Sequence, residues 1–365
     1  GKEDYPSVVA MHAALLAQRI GTPVRMISDR HEAIASTTTR LPAGVRYRSG
    51  VSADGRLVAQ AIEVFMDGGA YCTLSPGVLS RGVLHAGGPY ECPNVHIKGR
   101  SMATNTPPNS AFRGFGAPQV GFAHELQVAR IAAELDISPA ELRERWAYRE
   151  GGTTPSGQVL HESVAALEVL REATEAADYD SVLQLSRQTR AIRWGQAAEA
   201  GAGFNSTRVR TASGIGIAMG WHGAGFTGRG EVMMASTAGV ELGADGVIRL
   251  LIANTEIGQG TNTVMPMIVA DVLGVDPSEV ELAPIDTSIV PNSGPTVASR
   301  TVMVVGGMVS KAAARLRAIV EERSGGSFAD VYRADAARHG ATRIDQDFES
   351  EVEVDFDDET YTGDA

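Results

Sequence analysis

Three times in this sequence a run of small residues leads straight into a stretch with helical periodicity. SAFRGFGAPQ (110–119) precedes VGFAHELQVARIAAEL, TEIGQG (255–260) precedes TNTVMPMIVADVL, and PNSGPTVASR (291–300) precedes a long helix reaching Leu316. A helix start exposes unpaired N–H groups and a partial positive charge. Glycines let a bulky anion approach the backbone closely. Together these suit a phosphate or the anionic end of a cofactor. Neither G-x-x-x-x-G-K-[ST] nor G-x-G-x-x-G occurs in the three loops, so they leave the ligand unnamed. Each alone also fits an ordinary turn and cap. Gln259 and Arg113 are the candidate amide and cation donors. Arg113 stands between Phe112 and Phe115, and Phe115 is suited to stack on a flat substrate. The plainer alternative has Arg113 capping carbonyls and both phenylalanines in the core.

The chain around these loops is of ordinary globular composition: 365 residues, 43% apolar and 21% charged, enough for two domains. Its formal charge of -12 opposes a phosphate-tracking surface, so nucleic acid is not an expected partner. No apolar run reaches membrane-spanning length, and a cytoplasmic location is the default. Two cysteines, Cys72 and Cys92, make neither a disulfide framework nor an iron–sulfur site, and are expected as small buried residues. No histidine pair has zinc spacing. The acidic run at 345–360 reads as a solvated strand or tail.

The pattern predicts an α+β chain. A helix runs from Asp4 to Gly21, PVRMIS (23–28) reads as a strand, and residues 45–69 read as a hairpin turning at Ala53-Asp54-Gly55. A helix over 118–135 and a short one capped by Ser138 follow. GGTTPSGQ (151–158) is turn-rich and opens a linker with surface helices, 151–212. The expected domains are 1–150 and 213–365. Strand-like patterning returns near GEVMM, and a second hairpin turns on Ala244-Asp245-Gly246.

These motifs resemble the molybdenum hydroxylase family of xanthine dehydrogenases and aldehyde oxidases. The resemblance rests on GKEDYPS (1–7), SRGVLHAGGPYECPNV (80–95), NSAFRGFGAPQ (109–119), TEIGQG (255–260) and VPNSGPTVAS (290–299), in the family's order and at about its spacing. It covers residues 1 to about 310, and the remainder more loosely. It implies two molybdopterin-binding domains of mixed sheets and helices in a large subunit, both truncated. The metal is then held by a pterin dithiolene rather than by side chains, with the plain or the cytosine dinucleotide form of the cofactor. Water-derived oxygen is inserted at an electron-poor carbon. The electrons leave through 2Fe-2S clusters to FAD on partner subunits or domains, in a dimer of heteromers.

Residue by residue, the resemblance places Arg113 and Ala298 near molybdenum. It places Phe112, Arg113, Gly114, Gly258, Gln259, Gly260, Thr296, Val297, Ala298, Ser299 and Thr301 along the cofactor. Phe115 lies against the substrate ring, with Phe226 and Thr227 as a second wall. Trp221 and the glycines around it depart from the family pattern there. Glu3 and Arg81 match the pair that polarises and orients a purine. A guanidinium stabilises charge building on a heterocycle, and a carboxyl can bond ring nitrogens or move a proton. The family's late G-x-G-E loop, which carries its general base, is not found, and Glu351, Glu353 and Glu359 do not match it. The expectation is therefore a fragment or incomplete gene model, inactive alone.

Three readings follow: a hydroxylase of purines or other N-heterocycles acting on a small-molecule substrate, a relative acting on aldehydes or aromatic CoA thioesters, or a catalytically silent cofactor-binding piece.

Overall fold

The computed structural model describes residues 4–161, 163–187, 214–350, 356–357 and 359–363. The first half is organised by a three-stranded sheet, order β2-β3-β4, from β2 (Ala43–Val51), β3 (Leu57–Gly69) and β4 (Val95–Ala103). β2 and β3 pair antiparallel across the expected turn, and β4 adds parallel to β3. The alternation of β3 puts Ile62, Val64 and Met66 on one fully buried face. Helices α3 (Ser75–His85) and α4 (Ala117–Glu134) cover that face, adding Val78 and Val120 to the core. Each such side chain, fully buried, contributes about 1.5–3 kcal/mol.

α3 and α4 meet closely because Gly116 has no side chain. A Cβ there would lie 2.1 Å from the Val78 carbonyl oxygen, and its φ of +99° is open chiefly to glycine. A short helix, α5 (Pro139–Trp146), follows. Its buried Arg143 donates to the Glu125 carboxylate of α4 at 2.7 and 2.9 Å. Ser138 stands at its start but makes no side-chain cap.

The second half holds a four-stranded sheet, order β8-β7-β6-β9: β6 (Thr237–Leu242), β7 (Ile248–Leu251), β8 (Val280–Leu282) and β9 (Thr342–Asp347). The Thr261–Leu273 and Gly306–Ser324 helices pack on it, joining Val240, Leu250, Val269, Met308 and Leu316 in the larger core.

Several expectations are corrected. PVRMIS is not a strand; 23–28 is irregular, with Ile27 70% exposed and no strand paired with it among the described residues. GEVMM forms a short helix, Gly230–Met234, because Glu231 is drawn inward by a buried arginine. Cys72 is exposed and Cys92 half-buried, since both lie in loops outside the sheet cores. Among the described residues no helix is long and apolar enough to cross a membrane, and no His/Cys/Asp/Glu cluster is built for a metal ion.

Candidate cofactor and substrate site

Two of the small-residue segments, 255–260 and 290–301, are joined to each other, and 110–119 packs against α3, which bonds to the second half. α3 supplies the first connection. Arg81, only 8% exposed, donates from Nη1 to the Gly223 carbonyl at 2.7 Å and from Nη2 to the Gly225 carbonyl at 2.5 Å. Gly225 N–H in turn donates to the Ala298 carbonyl at 2.7 Å. The Thr296 hydroxyl, almost fully buried, accepts from the Thr255 N–H at 3.0 Å, joining the 255–260 loop to the 290–301 loop. One turn before Arg81 on α3, the Phe115 ring lies against Gly77; a Cβ at Gly77 would touch it at 3.3 Å.

The backbone is strained where the candidate residues lie. Of eight described non-glycine residues with positive φ, three are Phe115 (48°), Ala298 (55°) and Ser299 (57°). Such a conformation costs an L-residue about 1–3 kcal/mol and persists where surrounding contacts impose it. Gly114, Gly258 and Gly260 also have positive φ, which glycine adopts freely.

A buried ion pair fixes the junction from beneath, and the sequence reading missed it. Arg300 is 0% exposed and donates from Nε to both carboxylate oxygens of Glu231, at 2.9 and 3.2 Å. It also donates to the Ser293 carbonyl and the Ser236 hydroxyl, each at 2.8 Å. Glu231 accepts the Phe226 N–H at 3.1 Å. One carboxylate thus ties the 225–227 turn to the 293–300 turn. The available signal was a charge inside each of two otherwise small or apolar runs, GEVMM and VASRTV.

Expected site residues divide into several kinds. Phe115 is half-buried and packs on the first core. Phe112 is 49% exposed, so the expectation of two core phenylalanines does not hold; the Arg40 guanidinium lies 4.6 Å over its ring. Arg113 is exposed, and its carbonyl, not its guanidinium, takes the Arg40 donor at 2.7 Å. Phe226, Thr227, Val297 and Thr301 are half-buried at the junction, Thr301 starting a π-type turn that leads into the Gly306–Ser324 helix. Glu3 lies outside the described residues, as do Glu351 and Glu353. Glu359 is exposed.

The Gly258–Gly260 loop differs from an open anion cradle. Glu256 accepts the N–H groups of Gly258 at 2.6 Å, Gly260 at 3.1 Å and Asn262 at 3.0 Å. Those bonds hold its carboxyl below the usual range. The Gln259 amide donates to the Thr255 carbonyl and the Thr261 hydroxyl. The helix start is capped from within the loop, so its N–H groups are not free for a phosphate.

The residues nevertheless fit a large anionic cofactor. The Arg113 guanidinium is exposed, with no hydrogen bond or ion pair to a described residue. Gly258 and Gly260 have nothing within 4 Å of the position a Cβ would take, leaving backbone room for a bulky group. Beside Thr296, buried Asn254 Oδ1 lacks a partner.

His85 completes the α3 side. Its Nδ1 bonds the Arg81 carbonyl at 2.8 Å, and its Nε2 receives the Gly223 N–H at 3.3 Å. A carbonyl only accepts, so the proton is assigned to Nδ1 of a neutral ring. Burial pushes its pKa down to about 4. The His222 ring is 5.5 Å away, and its pKa is also lowered, first by burial and then by Arg81.

The molybdopterin cofactor-binding domain family matches residues 1–147, and a second family of the same description matches 187–356. The chain belongs to the molybdenum hydroxylases. It is 38% identical over 169 residues to the nicotinate dehydrogenase large molybdopterin subunit of Eubacterium barkeri, covering 46% of this chain and 40% of that one. It is 33% identical over 301 residues to xanthine dehydrogenase of Dictyostelium discoideum, covering 82% of this chain and 21% of that one. The chain therefore spans well under half of these curated relatives. Its structure superposes on aldehyde oxidoreductase from Desulfovibrio gigas with a TM-score of 0.75 and 27% identity, over 92% of this chain and 35% of that one. The fold is α+β, and the two matched regions are molybdopterin cofactor-binding domains, as in the xanthine dehydrogenase/aldehyde oxidoreductase family.

Proposed function

We propose that this chain forms the cofactor-facing part of an enzyme that hydroxylates an electron-poor carbon of a purine or other N-heterocycle, with oxygen from water. The carrying observation is that the Arg81–Gly225–Ala298 bonds tie α3 to the 225–227 turn that carries Phe226 and to the 290–301 loop, with Phe115 against Gly77 one turn before Arg81. The names of two relatives, nicotinate dehydrogenase and xanthine dehydrogenase, point to heterocycles.

The cofactor would be held by Arg113, Gly114 and the Thr296–Thr301 segment, and would pack against the open faces of Gly258 and Gly260, in its plain or cytosine dinucleotide form. When bound, it supplies oxygen-atom transfer and accepts two electrons. Phe115 stacks on one face of the substrate, and Phe226 with Thr227 bounds it opposite. Arg81 binds no substrate directly through the two donors used here; it fixes the 223–227 turn, leaving three N–H groups to stabilise charge on the heterocycle. Glu3 would be the matching carboxyl. Glu231 is tied to Arg300 and is not free as a base. Iron–sulfur and FAD-binding partners would carry the electrons onward, in a dimer of heteromers in the cytoplasm.

The test is turnover of a heterocycle in ¹⁸O-labelled water by the protein purified with its accompanying subunits. Label in the product supports the reading. Product oxygen from dissolved O₂, or turnover of aldehydes alone, rejects it.

A further inference from the structure

Arg40 stands outside every motif singled out in the sequence, yet its side chain holds the middle of the SAFRGFGAPQ loop. Its Nη2 donates to the Arg113 carbonyl at 2.7 Å, and the guanidinium lies 4.6 Å over the Phe112 ring. Its Nη1 reaches Gln119 Oε1 at 3.4 Å, and the Gln119 amide donates to the Leu41 carbonyl at 3.2 Å. One guanidinium therefore touches an aromatic ring of the loop, its backbone and the first turn of α4.

The base of this clamp is backbone. β1 (Thr39–Arg40) pairs parallel with β5 (Asn109–Ser110), Arg40 opposite Ser110, and the Thr39 hydroxyl donates to Asn109 Oδ1 at 2.9 Å. Asn109 Nδ2 in turn donates to the Asp67 carbonyl of β3 at 3.1 Å. Leu41, next in the chain, is buried in the first core. Arg40 is thus set on fixed backbone, beside the strand from which the loop departs.

The loop requires such a brace. Phe115 N–H donates to the Phe112 carbonyl at 2.7 Å, and Ala117 N–H to the Gly114 carbonyl at 3.1 Å. Three successive residues, Gly114, Phe115 and Gly116, have φ of 91°, 48° and 99°. The glycines adopt these values freely; Phe115 keeps its own only where surrounding contacts impose it. Arg40 grips Phe112, whose carbonyl receives the Phe115 N–H, and Arg113 between them. A lysine could not do both. A planar guanidinium stacks by its face and donates from its edge, whereas an ammonium is a point charge on a flexible stem.

We propose that Arg40 is a positioning residue for the molybdenum cofactor site. By stacking on Phe112 and bonding the Arg113 carbonyl, it fixes the backbone from which the Arg113 guanidinium reaches the cofactor and Phe115 the substrate. This rests on the cofactor reading above and adds a residue to it.

The experiment compares wild type, Arg40→Met and Arg40→Lys, each purified with its accompanying subunits from cells with and without a working pterin pathway. Amide hydrogen exchange is read on the cofactor-free proteins, and molybdenum and pterin content on the others. In both variants the Phe115 and Ala117 amides should exchange about tenfold faster, the effect of losing one cation–π contact and one charged donor. The β3 amides should keep wild-type protection, and molybdenum and pterin content should fall severalfold. Phe115 exchange equal to wild type, wild-type behaviour of Arg40→Lys, faster exchange spreading into β3, or full cofactor content in the variants would each overturn the proposal. Should Arg40→Met fail to fold, Arg40→Lys decides alone. Wild type with neither molybdenum nor pterin rejects the cofactor reading itself. Loaded wild type beside equally loaded variants rejects only the role of Arg40.

Discussion

Arg300 and Glu231 form a buried ion pair, with Nε 2.9 Å from Oε2, that joins the two turns bounding the candidate site. Removing one partner of such a pair leaves a buried, uncompensated charge. Glu231→Ala should cost about 3–5 kcal/mol of stability. Glu231→Gln, which can still accept the Phe226 N–H, should cost less. Chemical denaturation of the three proteins checks this order; equal stability of Glu231→Ala and wild type would refute it.

The two carbonyl bonds of Arg81 make it a positioning residue for the 223–227 turn. Arg81→Met should raise hydrogen exchange at Gly223 and Gly225 while leaving β6 and β7 protected. The proposed hydroxylation of a heterocycle should fall about 100–1,000-fold, the range for loss of one charge-stabilising donor. Unchanged exchange in the turn would mean that other contacts hold it.

His85 gives a pH signature. Its folded pKa, near 4, lies below the ordinary value of 6.5. The unfolded chain therefore takes up the proton first, and the contribution is intact above about pH 6.5 and lost progressively down to about pH 4. The loss is on the order of a few kcal/mol. His85→Gln should flatten the denaturation midpoint against pH over that window, and a slope identical to wild type would contradict the assignment.

Gly116→Ala should be among the most damaging single-methyl changes. The added carbon would meet the Val78 carbonyl at 2.1 Å, and φ is +99°. Backbone must shift, so a loss of at least about 3 kcal/mol is expected. Thermal unfolding within a degree of wild type would show that α3 and α4 separate easily.

Legibility in the sequence followed the reach of each signal. The hairpins at Ala53-Asp54-Gly55 and Ala244-Asp245-Gly246, and the helices after the small-residue loops, were readable because turn residues and periodicity act locally. The contact between the 255–260 and 296–301 loops was readable only through resemblance. What those loops do internally was not: Glu256 fills the N–H groups of Gly258 and Gly260, a contact between near neighbours that mimics an open cradle in the sequence. Arg81 pairs with Gly223 and Gly225 across 142 and 144 residues, and Arg300 with Glu231 across 69. No local pattern specifies such partners.

The central claim is that the chain holds a molybdenum cofactor, with Arg113, unpaired among the described residues, as its cation. The direct measurement is the molybdenum and pterin content of the protein purified with its accompanying subunits, as wild type and as Arg113→Met. About one molybdenum and one pterin per chain in wild type, with a marked loss in the variant, is the expected result. Wild-type protein from cofactor-competent cells that carries neither would contradict the account.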